Sequence, residues 1–124
     1  MEKEKMDVFL SKAVKKFEPG VTKKMIDSIP NQSEYLKIMV EGVSFDPVGT
    51  RLAMIGKILE YNEKKKTYVV CITVGVANAN PCIVVVYVGE DAIIADAYAR
   101  EGLIKQHTAK KAIKKLKENI EQAI

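Results

Sequence analysis

The stretch Tyr68-Val-Val-Cys-Ile-Thr-Val-Gly-Val76, Ala77-Asn-Ala-Asn-Pro81, Cys82-Ile-Val-Val-Val-Tyr-Val88 decides the fold. Two runs of β-branched residues flank a short Asn/Pro segment, which is the pattern of an antiparallel hairpin over about 67–88. Both runs are apolar at odd and even positions alike, so both faces of the hairpin must be covered. Helices can cover one face. More helix, a second subunit or a ligand must cover the other, and this leads us to expect a homodimer or larger homo-oligomer.

The centre of the turn sets the register. A turn near Asn78-Ala79 places Cys71 opposite about Val86 and Cys82 opposite about Gly75. The two thiols are then too far apart for a disulfide and are expected to be free. The same register, with paired residue numbers adding to an odd value such as 157, puts Tyr68 and Tyr87 on one face. There they would form a stacking platform for bases. An even sum would put them on opposite faces.

Upstream of the hairpin, Met6, Phe9, Leu10, Ala13 and Phe17 share one face of a helix over 2–17. Its acids come early and its lysines late, as the helix dipole favours. Pro19-Gly20 ends it, and a short helix over about 21–28 follows, closed by Pro30. Residues 35–44 carry both an alternating and a helical pattern. Their β-branched content and Gly42 favour a strand. Asp46-Pro47 reads as a helix start, and Val48, Leu52, Ile55 and Leu59 continue at helical spacing.

Downstream, Gly89-Glu90-Asp91 reads as the start of a helix through Ile93, Ile94, Ala97 and Tyr98, broken at Gly102. The expected order is α-α-β-α-β-β-α-α. This is an α+β fold of one domain, 1–124, with one small antiparallel or mixed sheet built on the central hairpin.

The last helix carries the functional signal. In Thr108-Ala-Lys-Lys-Ala-Ile-Lys-Lys-Leu-Lys-Glu-Asn-Ile-Glu121, the residues Ala109, Ala112, Ile113, Leu116 and Ile120 make an apolar stripe. Lys110, Lys111, Lys114, Lys115 and Lys117 cover the rest. The lysines precede Glu118 and Glu121, against the helix dipole. This order gives up some stability and concentrates positive field. A phosphate backbone is the anion such a field suits, with Lys105 and His107 in the preceding connector as further contacts. A solvated face is the ordinary alternative.

Lys64, Lys65 and Lys66 form a second basic cluster beside Tyr68, and a groove would result if the two clusters met. Segment 95–116 also admits a helix-turn-helix reading that needs one extra residue in its turn. Asp46-Pro-Val-Gly-Thr-Arg51 lacks the signature of a phosphate-binding loop, which leaves ordinary capping.

Composition narrows the function classes. The net charge of +4 permits nucleic-acid binding without requiring it. Arg51 and Arg100 are the only arginines, which argues against base-specific reading of a duplex. Two cysteines and one histidine match no metal motif, and no cofactor or catalytic set is implied. No apolar run reaches the roughly 18 residues of a membrane span, and the charged start lacks a signal-peptide pattern. A cytoplasmic protein is expected. Abundant Lys and Glu with little Gln give a thermophile-like composition. The expectation is a small non-catalytic protein binding single-stranded DNA or RNA. The alternative is a homo-oligomeric assembly or adaptor domain with no nucleic-acid role.

Overall fold

A computed structural model describes residues 1–101 and 106–122. Its elements are α1 (Lys3–Phe17), α2 (Lys23–Gln32), β1 (Glu34–Met39), α3 (Phe45–Ile55), β2 (Gly56–Asn62), β3 (Thr67–Val74), β4 (Asn80–Val88), β5 (Ala92–Tyr98) and α4 (Thr108–Glu121). The five strands form one antiparallel sheet in the order β1-β5-β4-β3-β2, an α+β fold.

The expected hairpin is β3–β4, in a different register. Cys71 pairs with Ile83, Ile72 with Cys82 and Val74 with Asn80, so paired numbers add to 154. The turn is centred at Ala77 because Gly75 leaves the strand early, at φ 83°, and Ala77 and Asn78 also adopt left-handed backbone. Pro81 accordingly lies inside β4 and not in the loop. Both thiols are free, as expected, but for another reason. Cys71 and Cys82 sit on adjacent pairs and point to opposite faces of the sheet.

Alternation of side chains explains why both runs are apolar throughout. Even-numbered residues of β3 and β4, such as Val70, Ile72, Val84 and Val86, pack under α3 and α4 with Leu52, Ala112 and Leu116. Odd-numbered ones, Val69, Ile83 and Val85, pack under α1 and α2 with Met6, Leu10, Val14 and Ile29. Each large side chain buried this way stabilises the fold by about 1.5–3 kcal/mol. The chain's own helices therefore cover both sheet faces, and the need for a second subunit on one of them is gone.

Three other elements differ from the sequence reading. Segment 92–98 is the strand β5 and not a helix, buried at every position between β1 and β4. A strand buried on both faces has no alternation to reveal it. With it falls the helix-turn-helix reading, whose first helix does not exist. The helix through Val48 and Leu52 ends at Ile55, and Leu59 belongs to β2. Gly56 makes that change of direction. It lies so close to the Cys71 carbonyl that a Cβ there would collide. The helix cap is Ser44, with Asp46 in the first turn. Pro30 does not close α2, which runs to Gln32 and is finished by the Ser33 N–H donating to the Ile29 carbonyl at 2.8 Å.

Candidate nucleic-acid interface

The lysine helix forms as its sequence requires. Thr108, Ala112, Ile113, Leu116 and Ile120 are buried against the sheet and α3. Lys110, Lys111, Lys114 and Lys117 are exposed on the outer side. Among the described residues the ion pairs are Lys3–Asp7, Lys16–Glu60 and Lys23–Asp27, and none involves α4. Its exposed ammonium groups are thus left to water or to an outside anion.

The start of the helix is capped by a side chain from outside it, although Thr108 is a residue type that can cap. His107 is the cap residue, in left-handed backbone at φ 54° and ψ 43°, and its side chain makes no capping bond. The cap is supplied by Glu101. One of its oxygens accepts from the Thr108 N–H at 2.8 Å and the other from the Gln106 N–H at 3.2 Å. Burial works to raise the Glu101 pKa, but these two N–H donors and the nearby His107 outweigh it and hold it below its ordinary value. An intramolecular carboxylate therefore stabilises the lysine-first helix, and the lysines themselves remain unneutralised.

Lys115 is the exception on this face. It is half-buried, and its Nζ donates to the Thr73 carbonyl at 3.2 Å, fixing the helix to the end of β3. Lys105 lies outside the described residues.

His107 and Lys110 line a cleft of about 670 Å³ between α2, the end of β5 and the start of α4. Lys24 from α2 and Arg100 after β5 line it too, with the acids Glu34 and Glu101. The Arg100 guanidinium donates to the Pro19 carbonyl at 3.2 Å, which holds it at the rim. The sequence reading missed Lys24 and Arg100. Arg100 opens the basic stretch 100–117 without being marked as a contact, and Lys24 comes from α2, which only the fold brings to the lysine helix.

The second basic cluster does not join the first. Lys64, Lys65 and Lys66 occupy the β2–β3 turn. The Lys66 carbonyl accepts from the Val88 N–H at one end of β3, while Lys115 reaches Thr73 near the other. The strand between Thr67 and Thr73 separates them by about 20 Å, at roughly 3.3 Å per residue. Lys66 instead sits 5.6 Å over the Phe45 ring.

The tyrosine platform is also absent. Tyr68 is 4% exposed, stacks on Phe45 at 4.2 Å and donates its hydroxyl to the Phe45 carbonyl at 2.7 Å. Tyr87 is half-buried on the opposite face, as the even register demands.

Among the described residues, no three His, Cys, Asp or Glu side chains converge as metal ligands, and no helix is long and apolar enough to cross a membrane. No family model matches the chain, and neither a curated protein nor a solved structure is significantly similar to it.

Proposed function

We propose that the protein binds single-stranded DNA or RNA through its phosphate backbone, without catalysis and with little sequence preference. The observation that carries this reading is the outer face of α4, where Lys110, Lys111, Lys114 and Lys117 are exposed and free of acidic partners among the described residues. Lys110 belongs to this face and to the cleft with Lys24, Arg100 and His107. The backbone follows the helix, and the cleft takes one unstacked nucleotide at its end. Its volume of about 670 Å³ suits a small organic group. A duplex must first unpair and unstack a base, at a cost of a few kcal/mol, before it can insert one. This geometry, in place of a tyrosine platform, supports the preference for single strands.

The test is fluorescence anisotropy with single-stranded and duplex probes of matched length. The native protein should favour the single strand. Changing Lys24 and Arg100 together to glutamine should reduce that preference more than it reduces duplex binding. Equal losses on both probes would remove the cleft from the account, and no binding of either probe at low salt would end the nucleic-acid reading.

A further inference from the structure

Asp96 is the only charged residue of β5 and is completely buried, on the α1 face of the sheet. Neither of its carboxyl oxygens receives a well-aligned hydrogen bond from the described residues: the Ser33 hydroxyl lies near it, but its single proton goes to Asp7 Oδ1 at 3.0 Å. The Asp7 carboxylate, 6% exposed on α1, lies within hydrogen-bonding reach but can only accept. Asp7 is well supplied by others. Ser33 Oγ donates to its Oδ1 at 3.0 Å, and Lys3 Nζ pairs with its Oδ2 at 2.8 Å. Lys3 Nζ also reaches the Pro30 carbonyl at 3.1 Å and Ser33 Oγ at 3.3 Å, which ties α1 to the end of α2.

The surroundings hold one compensating charge for two acids. From α1 come Lys3 and Asp7. From the end of α2 come the Ser33 hydroxyl and the Pro30 carbonyl. On β1 the residue paired with Asp96 is Tyr35, which Glu2 also faces, and on β4 it is the apolar Val85. Two ionised carboxylates in this pocket would leave one buried anion without a counter-charge or donor. A carboxylic acid at Asp96 resolves the conflict by donating its proton to Asp7.

We propose that this shared proton latches the first two turns of α1 to the sheet, and that α1 loosens as rising pH removes it. The groups titrate as the geometry requires. Burial, then the facing Asp7, pushes Asp96 up to about 8. Asp7 is held below its ordinary value, because bonds from Asp96, Lys3 and Ser33 overcome the effect of its own burial. In the closed state Asp96 keeps a proton that it releases once α1 opens and water reaches it. The opening constant therefore grows by up to about tenfold per pH unit between the ordinary carboxyl value and about 8, and is level above that.

Hydrogen exchange on the full chain from pH 5 to pH 9, corrected for the intrinsic pH dependence of exchange, reads this directly. Amides of residues 6–10 should lose at least tenfold protection between pH 5 and pH 8 and end less protected than those of 112–120, which open only with the whole chain. Asp96→Asn retains a donor to Asp7 and cannot ionise, so its α1 protection should stay at the pH 5 level throughout. Equal protection of α1 and α4 at pH 8, an α1 protection that does not change with pH, or an unchanged loss in Asp96→Asn would overturn the latch. Carboxyl carbon shifts in the native protein give a second reading that needs no variant. A midpoint for Asp96 near 8 is expected, and one below 5 would overturn the proposal.

Discussion

A carboxylic acid buried at Asp96 has a consequence for the whole stability curve. Its folded pKa of about 8 lies above the ordinary 3.8, so the folded chain holds a proton that the unfolded chain releases. Stability must therefore fall as pH rises from about 4 to about 8, and then level. Asp96→Asn should remove this slope and be the more stable protein at pH 8 by a few kcal/mol, since each pH unit in that window costs the native chain at most about 1.4 kcal/mol. Urea denaturation at pH 5 and pH 8 checks it, and parallel behaviour of the two proteins would contradict it. At this scale the sequence was only partly legible. Lone charges at Asp7 and Asp96 carry no local mark of their pairing. The register also turned on whether the pairing sum is odd or even, which moved Tyr87 to the face opposite Tyr68 and separated the thiols by the thickness of the sheet.

Among the elements, helices with one buried face were readable from their period, and of the strands covered on both faces β3 and β4 were readable from their β-branched runs while β5 was not. The stripes of α1 and α4 repeat at helical spacing because water lies on their other side. The interior strand β5 is covered on both faces, and its alanines fit a helix equally well. β2 was hidden because Val48, Leu52, Ile55 and Leu59 continue a helical spacing across Gly56. The contact of α3 with β3 gives a test at this scale. A Cβ at Gly49 would run into the Tyr68 ring and hydroxyl. Alanine favours a helix over glycine by about 1 kcal/mol. Here Tyr68 cannot yield, since it is stacked on Phe45 and bonded to the Phe45 carbonyl. Overpacking of about 1–3 kcal/mol should win, so Gly49→Ala is expected to lower the midpoint of thermal unfolding. A raised midpoint would show that the ring moves freely.

For the whole molecule, the sheet order decides what the basic residues can do together. It puts Lys24, Arg100 and His107 beside Lys110 and leaves Lys64–Lys66 about 20 Å from the Lys115 anchor, at roughly 3.3 Å per strand residue. The lysine helix was visible in the sequence. Its partners across the cleft and the Glu101 cap were not, because they come from segments distant in the chain or without any periodic pattern. The central claim is that α4 holds a phosphate backbone. The measurement that tests it most directly is single-strand affinity across a salt series, for the native protein and for Lys110, Lys111 and Lys114 changed together to glutamine. Each phosphate contact contributes about −0.7 to the log–log slope. The triple variant should bind every sequence more weakly and show a slope flatter by about two, with its fold intact because the apolar stripe is untouched. An unchanged affinity and slope would contradict the account.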